Sequence, residues 1–258
     1  GDVDLVDRSS GLATIGLWGP EARTILADVA VQDVSNAAFP AFTARDVDIG
    51  EVEAWAMRLS YVGELGWEIY APMERSRKLW DVLMDAGEPY GLRPVGTGVY
   101  GGTGRIEKSY RLYGHELRRE YNPAEADLTF HGVKDAGFIG KGAYIEALEG
   151  EPAAKLCTLS VDDHAPTGGE RRFMLGGEPI FAAGGDVLID DRGRRSYVTS
   201  AHTAPSLGKH LLMGYLPADR AREGNRFEVL YFGDRYPVTV EVVGNRPLFD
   251  PDDGRLRG

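Results

Sequence analysis

The sequence has little cysteine, no long apolar run and no excess of basic residues. Cys157 is the single cysteine, so the chain has no internal disulfide framework and no thiolate-rich metal site. No stretch reaches the roughly 18 uncharged apolar residues of a membrane span, and no signal sequence opens the chain. With 29 Lys and Arg against 40 Asp and Glu, the net charge of −11 disfavours nucleic acid and anionic membranes as partners. We expect a cytoplasmic protein.

The 258 residues, 43% of them hydrophobic and 27% charged, have the composition of a globular protein. A strand is expected over residues 12–18 and an amphipathic helix over 75–86. The character changes near residue 150, after which short strand-like runs alternate with turn signals. The pattern therefore predicts an α+β first domain, residues 1–150, and a second domain, 151–258, that is an all-β barrel or sandwich.

Two short motifs carry weak functional signals. Residues 96–101 match the letters of a dinucleotide-binding loop, but Pro94 disrupts the strand that must precede such a loop. Three consecutive residues, Asp162 to His164, have the side chains of metal ligands, yet neighbouring side chains rarely converge on one ion. We predict neither a dinucleotide site nor a metal site.

Glu68 is the most informative residue, because it interrupts an apolar strand. Alternation places Glu68 and Tyr70 on one face, with Trp67 and Ile69 on the other. A carboxylate there is costly unless it is paired or bound. One interpretation is an acceptor for the amidine-like edge of a flat heterocycle, and the other is an edge glutamate paired with an arginine. Arg105 and Glu107, on an expected helix after a glycine-rich segment, have the same ambiguity.

Several runs resemble the folate-binding glycine cleavage T-protein (aminomethyltransferase) superfamily, which includes the folate domains of dimethylglycine dehydrogenase and related demethylases. The resemblance covers essentially the whole chain, and the matching runs follow the family's order. They include RLSYVGELGWEIYAP (58–72), GRIEKSYRLYGHEL (104–117), YNPAEADL (121–128), GFIGKGAY (137–144) and YVTSAHTAPSLGKHLLMGYLP (197–217).

This resemblance implies an aminomethyltransferase-type α/β domain, followed by a C-terminal β-barrel, around a central hole that holds the cofactor tetrahydrofolate. Glu68 matches the family's strand glutamate that recognises the pterin ring. Tyr61 and Tyr70 are candidate walls of the same site, and Arg105 is a further cofactor-binding candidate.

Two departures from the family pattern affect the expected activity. The chain begins within the family's domain, and the family's catalytic aspartate belongs to the absent N-terminal portion. No catalytic residue is therefore assigned, and we expect the chain alone to be catalytically poor unless another chain or an upstream domain supplies that portion. Gly101 stands where T-proteins have an arginine, whereas the run from Glu107 to Arg111 is more similar to the dimethylglycine dehydrogenase and demethylase branch.

The resemblance thus implies a tetrahydrofolate-dependent transferase that moves a methyl or aminomethyl-level carbon from a small-molecule donor. One alternative is a glycine cleavage aminomethyltransferase proper. The other is a non-enzymatic folate-binding domain. That alternative is disfavoured because Ala143 stands where such proteins carry a cysteine.

Overall fold

The computed structural model describes residues 3–129 and 132–258. These residues form two compact units: the first runs to Gly96 and includes Asp252–Gly258, and the second is Thr97–Pro251. The domain boundary expected near residue 150 is a different division of the chain and stays a prediction.

The first unit is built on a four-stranded antiparallel sheet, β1 (Leu12–Trp18), β2 (Ala44–Ile49), β3 (Val52–Met57) and β4 (Gly66–Pro72), in the order β1-β4-β3-β2. Helices α1 (Ala22–Val29) and α2 (Ser76–Gly87) pack on one face of this sheet. The strand expected over residues 12–18 is confirmed, and the expected helix over 75–86 is α2.

The core of this unit lies between the helices and the sheet. Leu26 of α1 and Leu79 of α2 are fully buried against Trp67 and Ile69 of β4. The inward residues of β4 alternate with half-buried outward ones, as expected for a strand with one packed face. This alternation fixes which β4 side chains point away from the helices.

The second unit contains six antiparallel strands, β5 (Ala154–Val161), β6 (Ile180–Ala182), β7 (Val198–Ala204), β8 (Lys209–Pro217), β9 (Arg226–Tyr231) and β10 (Asp234–Val243). Their order is β6-β9-β10-β5-β8-β7. Hydrogen bonds between residues 178–180 and 196–198 join the two outer strands, so the sheet closes into a barrel. Cys157 lies fully buried in it, and burial raises the pKa of its thiol to about 12. The thiol is thus a structural core group.

Helical segments precede the barrel in the second unit. The glycine-rich run forms a π-helix, Val99–Gly104, that continues into the short helix α3 (Arg105–Glu107). Ile106 of α3 is fully buried against Leu211 and Tyr215 of β8. A further helix, α4 (Lys141–Glu149), comes before the first barrel strand, and α5 (Gly254–Arg257) belongs to the first unit. Among the described helices, none has the length and apolar character to cross a membrane.

Candidate functional site

Glu68 lies on the face of β4 that points away from α1 and α2. Its register partners are Gly16 on β1 and Met57 on β3. Glu68 and Tyr70 are half-buried, whereas Trp67 and Ile69 on the other face are fully buried. The alternation expected from the sequence is therefore confirmed, and it puts a carboxylate on the outward face of the sheet.

Tyr70 hydrogen-bonds this carboxylate directly. Its hydroxyl donates to Glu68 Oε2 at 2.7 Å, and its ring packs against Trp55 on β3 with centroids 5.3 Å apart. Burial, the hydrogen bond to Glu68 and the charge of Glu68 raise the pKa of Tyr70 to about 12. The phenol therefore stays protonated at neutral pH and acts as a hydrogen-bond donor to Glu68.

Trp18 lies beside Glu68 on the same face. A Cβ atom at Gly16 would come within 1.9 Å of the Trp18 ring, and one at Gly66 would come within 2.4 Å. The indole thus lies flat across two glycines, and its Nε1 donates to the Leu59 carbonyl at 3.2 Å. Sequence reasoning missed Trp18. No local signal was available, because Gly16 and Gly66 come together only through the pairing of β1 with β4.

Tyr61 is half-buried in the loop between β3 and β4. This loop turns at Gly63, which has φ of +81° and whose N–H donates to Ser60 Oγ at 3.0 Å. The loop leads directly into β4, where Glu68 and Tyr70 lie. The predicted roles of Tyr61, Tyr70 and Glu68 in cofactor binding stay predictions.

Arg105 belongs to the second unit and is almost fully buried, with 3% of its surface exposed. Its guanidinium donates to Glu116 Oε2 at 3.0 Å, to Ser200 Oγ at 2.7 Å and to the Gly101 carbonyl at 2.7 Å. Glu116 is fully buried and also accepts from Thr199 Oγ1 at 2.6 Å. These contacts suit a structural ion pair, and the predicted role of Arg105 in cofactor binding stays a prediction.

Glu116 was not singled out from the sequence. It lies eleven residues after Arg105, in a segment that contains both basic and acidic residues. The opposite charges of Arg105 and Glu116 were the available signal for an ion pair. Glu107 on α3 is likewise buried, and its Oε1 accepts from the Ser206 N–H at 2.8 Å. Both carboxylates thus tie the segment before the barrel to the barrel itself.

The glycine-rich segment does not have the surroundings of a dinucleotide loop. The described residues just before it, 92–96, contain no strand, in agreement with the effect expected of Pro94. Gly102 packs against β7, because a Cβ there would lie 2.2 Å from the His202 ring. Thr103 Oγ1 and His202 Nδ1 are 2.9 Å apart, which fixes that ring.

The three consecutive candidate ligands point to separate partners. Asp162 accepts from Thr239 Oγ1 at 2.8 Å, Asp163 accepts from the N–H of Ala165 at 2.9 Å, and His164 Nδ1 is 2.9 Å from a backbone carbonyl. Throughout residues 3–129 and 132–258, no group of three or more His, Cys, Asp or Glu side chains is arranged to hold a metal ion.

These features define an α+β protein with a C-terminal β-barrel and a carboxylate on the outward face of its first sheet. The family model described as "GCVT N-terminal domain" matches residues 1–135, and "Glycine cleavage T-protein C-terminal barrel domain" matches residues 155–250. The chain belongs to the glycine cleavage T-protein family. The fold class expected from the resemblance is thereby confirmed.

The matched relatives include a dimethylglycine dehydrogenase and an aminomethyltransferase. Mouse mitochondrial dimethylglycine dehydrogenase is 32% identical over 260 residues, 99% of this chain and 28% of that protein. The aminomethyltransferase of Symbiobacterium thermophilum is 34% identical over 235 residues, 90% of this chain and 58% of that protein. The crystal structure of aminomethyltransferase T from Bartonella henselae matches with a TM-score of 0.62 and 25% identity, over 77% of this chain and 50% of that one. The chain thus spans about a quarter to three fifths of these relatives.

Proposed function

We propose that this chain binds tetrahydrofolate and serves the transfer of a one-carbon group, at the methyl or iminium level, from a small N-, O- or S-methylated donor. Family membership supports a role in aminomethyl or methyl transfer. Three relatives have names that refer to a one-carbon group bonded to nitrogen. They are dimethylglycine dehydrogenase, aminomethyltransferase and, at 31% identity, the 4-methylaminobutanoate oxidase (formaldehyde-forming) of Paenarthrobacter nicotinovorans.

The observation that carries the proposal is the carboxylate of Glu68. It is half-buried on the outward face of β4, accepts a hydrogen bond from the neutral Tyr70 and has Trp18 beside it. A carboxylate in such surroundings suits the N–C–NH₂ edge of a pterin, because charge-assisted hydrogen bonds are stronger than neutral ones. The flat indole of Trp18 nearby suits a planar ring.

When bound, the folate supplies the nitrogen that accepts the one-carbon group, and the protein binds and orients it. In this proposal Glu68 holds the pterin edge, and Tyr61 lies in the loop that leads into the binding strand. No side chain of the chain is assigned an acid or base role. Because the 258 residues span 28% to 58% of the two named relatives, turnover is to be measured separately from binding.

The test is calorimetric titration of the chain with 5-formyltetrahydrofolate, a stable reduced folate. Glu68→Gln keeps the shape but removes the charge and one acceptor. Charged hydrogen bonds contribute about 1.5–3 kcal/mol each, so affinity should fall about tenfold to a few hundredfold. Glu51→Gln is the matched control, because Glu51 pairs with Lys78 on an exposed turn.

Two results would contradict the proposal: no saturable binding by the unsubstituted chain, or equal affinity of Glu68→Gln and the unsubstituted chain. The competing interpretation, in which Glu68 is a structural partner of an arginine, expects a lower melting temperature with unchanged affinity. Measuring both quantities on the same samples separates the two interpretations.

A glycine cleavage aminomethyltransferase is the second candidate, favoured by the match to the Symbiobacterium thermophilum enzyme. Gly101 argues against it, because T-proteins carry an arginine there. A Cβ at Gly101 meets no atom within 4 Å, so the fold does not require glycine at this position. Transfer of a carbon from an aminomethyl-lipoyl carrier protein, but not from small N-methylated amines, would favour this candidate.

A further inference from the structure

We propose that Tyr70 is a positioning residue, which orients the Glu68 carboxylate for its ligand and does not itself contact that ligand. This inference rests on the proposed function, since it assigns a role at the same site. The tyrosine would act through one hydrogen bond, from its hydroxyl to Glu68 Oε2 at 2.7 Å.

Strand geometry makes this contact possible. Glu68 and Tyr70 are two residues apart on β4, so their side chains leave the same face of the sheet and run side by side. A glutamate side chain has several rotamers, and ordering it costs conformational entropy. A hydrogen bond from a fixed neighbour orders the carboxylate before the ligand binds, so less entropy is lost on binding.

The tyrosine ring is itself held in place. Tyr70 is paired in register with Trp55 on β3 and with Thr14 on β1, and the Trp55 ring packs against it at 5.3 Å. Its pKa is raised to about 12, first by burial and then by Glu68, so the hydroxyl remains a donor at neutral pH. Phenylalanine at position 70 would keep the ring packing and remove only the donor.

The experiment is a double-mutant cycle on the 258-residue chain, with 5-formyltetrahydrofolate as the probe. Tyr70→Phe should weaken binding about five- to tenfold, the effect of a lost hydrogen bond that orients a charged group. In the Glu68→Gln background, Tyr70→Phe should change affinity less than twofold, because the carboxylate that it positions is gone. Tyr70→Gln, which restores a donor without the ring, should recover part of the affinity.

Tyr90→Phe is the matched control. The Tyr90 hydroxyl donates to Asp28 Oδ2 at 2.9 Å, so the variant removes the same kind of tyrosine–carboxylate bond at an exposed position in the same unit. It should leave folate affinity unchanged. Melting curves of every variant identify any that fails to fold, and Tyr70→Gln then provides the second comparison.

Three outcomes would overturn the inference, and they are distinguishable. If Tyr70→Phe binds as tightly as the unsubstituted chain while Glu68→Gln does not, Tyr70 has no positioning role and the proposed function stands. If the two losses multiply in the double variant, Tyr70 contacts the ligand directly. If Glu68→Gln has full affinity, the proposed role of Glu68 fails, and the role of Tyr70 fails with it.

Discussion

Arg105→Met tests whether Arg105 is structural or binds the cofactor. The variant removes the guanidinium that lies 3.0 Å from Glu116 Oε2, in a pair whose side chains are 4% and 0% exposed. Breaking a buried ion pair from one side is expensive, because the remaining charge stays desolvated. The typical cost is about 3–5 kcal/mol of unfolding free energy.

The contacts left to Glu116 place the effect at the lower end of that range. Ser200 Oγ, Thr199 Oγ1 and the Leu112 N–H still donate to its carboxylate, at 2.5, 2.6 and 2.9 Å. Each charged hydrogen bond offsets part of the desolvation. We therefore expect Arg105→Met to lower the free energy of unfolding at pH 7 by about 3 kcal/mol.

Urea unfolding monitored by circular dichroism measures this effect, and titration with 5-formyltetrahydrofolate is run on the same protein. Arg105→Met with Glu116→Leu should be less destabilised than the sum of the single variants, because neither charge is then stranded in the interior. The reasoning would be refuted if the free energy of unfolding of Arg105→Met lay within about 0.5 kcal/mol of the parent's while the variant bound folate poorly. Arg105 would then be a ligand contact, as the sequence suggested.

Two further predictions concern packing and pH. Gly102→Ala puts a methyl group 2.2 Å from the His202 ring, so it should lower the free energy of unfolding in urea by about 1–3 kcal/mol. Gly98→Ala is the control, because a Cβ at Gly98 meets no atom within 4 Å, and it should leave the free energy of unfolding unchanged. Equal stabilities of the two variants would show that the His202 ring moves aside freely. The pKa of His210 is lowered to about 4, chiefly by burial. In the unfolded chain the same histidine has an ordinary pKa near 6.5, so the unfolded state takes up the proton first as the pH falls. The free energy of unfolding should therefore decrease by up to about 3 kcal/mol between pH 6.5 and pH 4. His210→Asn should flatten that slope, and an unchanged slope would exclude His210 as its source.

The strand of Glu68 could be predicted because its signal is local. Alternation with period two over residues 66–72 predicts which side chains face the core. In the structure Trp67 and Ile69 are buried, and Tyr70 points outward. The short strands of the barrel follow from the same kind of pattern. Pro94 likewise acts locally, and residues 92–96, which lead into the glycine-rich run, contain no strand.

The packing of Trp18 could not be predicted in the same way. The role of Gly16 and Gly66, as turn residues or as the surface on which an aromatic ring packs, depends on the pairing of the strands. The pairing of β1 with β4 joins residues about fifty positions apart, and it brings Gly16 next to Glu68. A glycine's role is therefore decided by the partner strand, which the sequence pattern does not specify.

Glu68 and Arg105 had the same ambiguity in the sequence, and their environments now separate them. Arg105 is compensated by a fully buried carboxylate, so its charge is neutralised inside the second unit. Glu68 is half-buried on the outward face of β4 and accepts a hydrogen bond from Tyr70. Under the proposed function, substitution of Glu68 removes a ligand contact and should change affinity more than stability. Substitution of Arg105 breaks a buried ion pair and should change stability more than affinity.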